Sequence, residues 1–131
     1  MEGSLSPNSY EVRQGDDRVA LLFKMQAAQT ADVRNEWERR EKDLPLTDEN
    51  DVLILASIIE KETGVSSERG VVASVFINRL NLGMPLQTDP SVIYGITKGE
   101  RSLGRGLYKS ELTKNTPWNT YLNKGLPPTP I

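Results

Sequence analysis

Two glutamates separated by one lysine, Glu60-Lys61-Glu62, close an apolar run in a chain that has no histidine and no cysteine. Acid–base chemistry near neutral pH therefore falls to Asp, Glu, Lys or Tyr, and a lone carboxyl group can carry it only if its surroundings move its pKa upward. Two residues of helix rotate the chain by about 200°, so the two carboxylates cannot share a face. Glu62 follows Ile58 and Ile59 by one turn and Leu55 by two, which continues the apolar stripe, whereas Glu60 follows the smaller and more polar Ala56 and Ser57. Glu62 is thus the candidate for a desolvated carboxyl, the form a glycosidic general acid requires. The plainer alternative is a solvated, fraying helix end at which Glu60 or Glu62 pairs with Lys61 or Arg69.

Two further clusters have chemistry suited to a sugar, whose hydroxyls take hydrogen bonds and whose ring faces stack on aromatics. One is Asn78, Arg79, Gln87, Thr88, Asp89 and Tyr94, around a Pro-containing turn. The other is Trp118, Asn119 and Tyr121, followed by the turn Gly125-Leu126-Pro127-Pro128. Each has a structural alternative: Asp89 as a helix cap, and the aromatics of the second cluster as packing. Gly104 and Gly106 are at best a weak phosphate-loop signal, because no GxxxxGK[ST] pattern is present.

The composition removes other chemistries. Without Cys or His there is no disulfide framework, thiol nucleophile, Ser-His-Asp triad or imidazole metal site. A formal net charge of -2, with basic residues spread among acidic ones, argues against nucleic acid as a partner. No apolar run approaches the roughly 20 residues of a membrane span, and the first residues are not a signal peptide. A chain of 131 residues suits one domain that buries roughly two-thirds of its unfolded surface.

The elements that must hold these residues follow from spacing. Asp17 reads as an N-cap, and Val19, Leu21, Leu22, Met25, Ala28, Val33 and Trp37 mark an amphipathic helix over about 18–41. After Pro45 and the polar Thr47–Asn50, the stretch Val52–Glu62 is apolar almost all round, as in a helix buried in a core. Gly64 ends it, and Ser66-Ser67-Glu68 begins a third helix with Val71, Val72, Val75, Phe76 and Leu80 on one face and Gly83 beyond its end. Asp89-Pro90 pairs a cap with a first-turn proline for a short fourth helix. Lys98–Gly106 reads as a loop, and Tyr10–Arg13 and Trp118–Leu122 read as short strands. The expected class is α+β: a mostly helical domain with a small β-sheet and a central buried helix carrying the candidate glutamate.

The run LASIIEKETGVSSERGVVASVFINRLNLGMPLQTDPSVIYGI, with NTPWNTYLNKGLPPTPI after it, resembles the endolytic murein transglycosylase family, the YceG-like or MltG proteins. The likeness is strong over about residues 53–131 and looser over Ser6–Pro45. It rests on the blocks ASIIEKE, FINRL, LQTDP, VIYG, NTY and GLPP in that order. The resemblance implies a lyase that cuts peptidoglycan glycan strands between N-acetylmuramic acid and N-acetylglucosamine and leaves a 1,6-anhydro-muramyl end, terminating or trimming nascent strands. It implies Glu62 as catalytic acid, with Glu60, Asn78, Gln87, Thr88, Asp89, Tyr94, Asn119 and Tyr121 around the substrate, and no cofactor or metal.

The resemblance also implies a single catalytic domain over 1–131, with a helical N-terminal part at 1–45 and a YceG-like core at 46–131. Members of the family carry a membrane helix and further C-terminal strands, so the chain is expected to be a truncated piece of an inner-membrane protein whose catalytic domain faces the periplasm. Glycan strands are the implied partner, with peptidoglycan synthases as possible associates. Two other functions compete: a pyridoxal-phosphate aminodeoxychorismate lyase, the family's other label, and a non-catalytic glycan-binding scaffold. The first needs a Schiff-base lysine in a phosphate cup, and Lys61, the only lysine in a motif block, has no glycine-rich loop beside it.

Overall fold

The second helix organises the molecule because its apolar residues recur on the side that three other helices cover. In the computed structural model, which describes residues 2–131, the elements are α1 (Arg18–Arg39), α2 (Glu49–Glu62), a 3-10 turn (Ser66–Glu68), α3 (Arg69–Asn81), α4 (Asp89–Thr97) and α5 (Lys109–Leu112). α2 packs against α1, α3 and α4. Its Ile54, Leu55 and Ile58 form the core with Phe76 of α3 and Leu86, and Leu46, Leu126 and Ile131 close over that cluster. Ile58 is 0% exposed, a burial that contributes about 1.5–3 kcal/mol.

Helix starts follow their caps. Asp17 accepts from the Val19 N–H at 2.9 Å, and Asp48 accepts from Asn50 and Asp51 at 2.8 and 3.2 Å, which satisfies N–H groups that have no partner inside the helix. α2 stops at Thr63, whose extended backbone leaves the helix while its hydroxyl donates to Glu68 at 2.8 Å and accepts from the Val65 N–H at 3.0 Å. The side chain of Thr63, more than the conformational freedom of Gly64, turns the corner into α3.

The expected α+β class is overturned: helices take up half the chain, and no strand is present among the described residues. Tyr10–Arg13 is spent on local contacts, the Tyr10 hydroxyl donating to the Ser6 carbonyl at 3.2 Å and the Arg13 N–H to Asp16 at 2.8 Å. Val12, the apolar residue of that alternation, is 57% exposed and has nothing to bury against. Trp118–Leu122 is a chain of turns, because the Asn119 N–H donates to the Thr116 carbonyl at 3.1 Å and the Asn119 carbonyl accepts from Leu122 and Asn123 at 3.2 and 3.0 Å. β-propensity in these residues is outweighed by one asparagine that folds the backbone around itself.

Two details of the expected helices also change. α2 is buried on one side only, with Ala56, Glu60, Lys61 and Glu62 exposed. α4 is capped by Thr88, and Asp89 is its first residue, with Pro90 behind it. α5 was not foreseen in a stretch of little periodicity. It forms because Glu111 accepts the Tyr108 N–H at 2.8 Å and bonds from the two terminal nitrogens of the Arg105 guanidinium at 2.9 and 2.8 Å. That pair, followed by the Tyr108 N–H bond, holds the Glu111 carboxyl down at about 2.

Candidate functional site

α2 and α4 meet at a carboxylate. Glu62 ends α2 at the surface, and the hydroxyl of Thr88 donates to its Oε1. Among the described residues only that oxygen of Glu62 is engaged by the protein. The sequence points to a carboxyl desolvated by its own helix; instead Glu62 is exposed, because the apolar stripe of α2 runs out before its last turn.

Thr88 cannot wander, because it is 1% exposed and held from three directions. Its N–H donates to Thr120 Oγ1 at 3.0 Å, and its carbonyl accepts the Ser91 hydroxyl at 2.8 Å. The hydroxyls of Ser91 and Thr120 lie 2.8 Å apart. Gln87, on the other side of Thr88, donates its N–H to the Thr120 carbonyl at 3.1 Å. Thr120 therefore joins the turn before α4 to the loop after α5: the hydroxyls of Ser91 and Thr120 bond each other and the Thr88 backbone, which leaves the Thr88 hydroxyl for Glu62.

The residue after Thr120 adds a second link. The Tyr121 hydroxyl donates to Asp89 Oδ1 at 2.7 Å. That bond, then burial, then the negative charges of Asp89 and Glu62 push the phenol up to about 12, with Arg79 opposing. Arg79 in turn donates to the Leu86 carbonyl, bracing the strand of chain that leads into Thr88.

Of the residues singled out from sequence, Glu62, Thr88, Asp89 and Tyr121 come together here. Tyr94 lies nearby, in a groove of about 630 Å³ that also has Lys61 and Pro90 in its wall. Its ring stands 5.7 Å from that of Trp118, tilted by 58°. Glu60 is tied to Arg69 at 2.9 Å, the ion pairing expected of an ordinary helix end. Asn78 and Gln87 are exposed, and Gln87 has a left-handed backbone with φ 53°. Asn119 is 0% exposed. Its amide nitrogen donates to the Leu112 and Lys114 carbonyls at 3.0 and 2.8 Å, and its oxygen accepts the Tyr121 N–H at 2.9 Å. With its side chain spent on backbone groups, Asn119 shapes the loop that presents Thr120 and Tyr121.

Thr120 and Ser91 are the residues that sequence reasoning missed. Thr120 stands inside the block NTY and Ser91 between LQTDP and VIYG, but small hydroxyls carry no charge or aromatic signal of their own. The arrangement offers one carboxyl whose single oxygen is fixed, a phenol that stays protonated, and an adjoining groove. That equipment suits proton transfer to and from an extended polar substrate.

Comparison with known proteins identifies a family. The model of the YceG-like family matches residues 1–131. The endolytic murein transglycosylase of Bacillus subtilis (strain 168) is 37% identical over 131 residues, which cover 100% of this chain and 35% of that protein. The endolytic murein transglycosylase of Streptococcus pneumoniae serotype 2 (strain D39 / NCTC 7466) is 31% identical over 137 residues, covering 100% of this chain and 24% of that protein. A crystal structure of a YceG-like protein from Listeria monocytogenes superposes with a TM-score of 0.78 at 34% identity, over 98% of this chain and 40% of that one. The chain thus spans about a third of the first relative and a quarter of the second.

Proposed function

The chain belongs to the YceG-like family, and from that premise we propose that it carries the catalytic centre of a peptidoglycan lytic transglycosylase. The reaction would cut glycan strands internally between N-acetylmuramic acid and N-acetylglucosamine and leave a 1,6-anhydro-muramyl end. The observation that carries this reading is the seat of Glu62: a carboxyl at the open end of α2, beside a groove, with one oxygen held by a buried threonine.

The chemistry needs a single titrating group. With Thr88 donating to Oε1, the transferable proton belongs on Oε2. Glu62 gives that proton to the glycosidic oxygen as the bond to the muramyl anomeric carbon breaks, and positive charge spreads over that carbon and the ring oxygen. The carboxylate left behind then takes the proton of the C6 hydroxyl while its oxygen closes onto the anomeric carbon. Glu62 ends protonated, and no water is consumed. The desolvation that a carboxyl donor requires would come from the glycan lying over the exposed Glu62. Asp89 and Tyr121 present a carboxylate oxygen and a phenol to sugar hydroxyls on the same side.

The relatives' name, endolytic murein transglycosylase, does not favour the pyridoxal-phosphate alternative. A periplasmic setting on an inner membrane, beside peptidoglycan synthases, belongs to the same proposal. No helix of the described residues is long and apolar enough to cross a membrane, so an anchor would have to come from outside them.

Glu62→Gln tests the assignment directly. Incubated with purified peptidoglycan, the wild type should release anhydro-ended fragments detectable by mass, and Glu62→Gln should release them at least ~100-fold more slowly. Anhydro ends from Glu62→Gln but not from Glu60→Gln would transfer the role to Glu60.

A further inference from the structure

The groove beside Glu62 has a charge that a sugar chain does not require. It begins one residue from each anchor of the site, since Lys61 precedes Glu62 and Pro90 follows Asp89, and its far wall is the loop after α4 with Arg101, Leu103 and Arg105. Arg105 is neutralised by the two-pronged bond to Glu111 and so contributes rigidity more than free charge. Lys61 and Arg101 enter no ion pair among the described residues. One carboxylate of the chain already stands at this groove: Glu2 is in its wall, and Gly99, with φ 73°, lets it approach so closely that a Cβ there would stand 2.8 Å from Glu2 Oε1 and 3.4 Å from the Tyr94 ring. Glu2 offsets one of the two unpaired cations, Lys61 and Arg101, and leaves the groove a surplus of positive charge.

The amino sugars of a glycan strand are neutral once the lactyl group of the muramyl residue is amide-linked, and their hydroxyls need hydrogen bonds, not cations. The free carboxylates of the polymer are on the peptide that hangs from that lactyl group. The muramyl residue is also the sugar whose anomeric carbon reacts in the proposed function, so its peptide must leave the strand beside Glu62. We propose that the groove of Lys61, Tyr94 and Arg101 binds a carboxylate of the stem peptide on the muramyl residue being cut, making the site read peptide as well as sugar. This rests on the function proposed above and extends it to the part of the substrate that selects the cut.

The test separates binding from chemistry. A dye-labelled disaccharide pentapeptide is titrated into Glu62→Gln, which leaves the ligand uncut, and anisotropy is read against the same compound with its carboxylates converted to carboxamides. The carboxylate form should bind about fivefold more tightly, the scale of one partly exposed charge pair. That advantage should disappear when Arg101→Ala is added and survive when Arg101→Lys is added. Equal affinity for the two ligands, an advantage untouched by Arg101→Ala, or no binding of either ligand would overturn the proposal. Release of anhydro ends from peptide-free strands by the wild type is measured separately. Its failure would count against the lytic reaction, whereas the groove is judged by anisotropy alone.

Discussion

Tyr121 shows what a single side chain contributes here. Its hydroxyl is bonded to Asp89, and its pKa of about 12 means that the folded protein holds the phenolic proton more tightly than the unfolded chain does. For such a group the stabilisation is fully present below the unfolded value near 10 and is lost as pH rises towards about 12. Thermal melts at successive pH values should therefore show wild type losing Tm relative to Tyr121→Phe across that window. A constant difference between the two proteins through the window would contradict the assignment. At this scale the meeting of Glu62, Thr88, Asp89 and Tyr121 is legible, because carboxylates, a hydroxyl and a phenol announce which bonds they can make. Asn119 was misread for a related reason: an amide suited to a sugar is equally suited to backbone carbonyls, and only burial separates the two uses.

Between elements, the staple of Thr88, Ser91 and Thr120 ties the N-terminus of α4 to the loop that follows α5. Thr120→Val would leave the buried Thr88 N–H without its acceptor, at a cost of about 1–3 kcal/mol in urea unfolding. Thr120→Ser keeps the hydroxyl and should lose no more than about 1 kcal/mol, the worth of one buried methyl group. A loss from the serine variant with none from the valine variant would mean that the methyl matters and the hydroxyl does not. If the staple also positions Glu62, release of anhydro ends should fall with the valine variant and recover with serine. The four longer helices are readable from apolar spacing and polar breaks; of the two caps read from sequence, Asp17 bonds the N–H that its position demands, whereas Asp89 yields its place to Thr88. The strands were not, because alternation over four or five residues carries little information when no partner edge exists to reward it. α5 escaped notice because a four-residue helix held by an arginine–glutamate pair has no periodicity to display.

Over the whole molecule, stability is distributed unevenly. α1 has no buried residue, and Val19, Leu22 and Phe23 are 55, 50 and 66% exposed, while α2 supplies three residues of the core. Hydrogen exchange followed by mass spectrometry should find the amides of Ile54–Ile59 among the slowest and those of the first half of α1 among the fast, because opening α1 sacrifices little burial. Protection in the first half of α1 equal to that of α2 would show that α1 unfolds only with the core. The order of the contacts along the chain has a further effect. Glu62 meets its hydroxyl partner 26 residues later, and that partner meets its own clamp another 32 residues on. Helices form from near neighbours, whereas these two closures must each overcome the entropy of a loop. A polypeptide still being made, or only partly folded, can therefore hold the glutamate without its seat. In the proposed reaction, then, Glu62 would gain its fixed hydroxyl partner only after the chain has grown past Thr120.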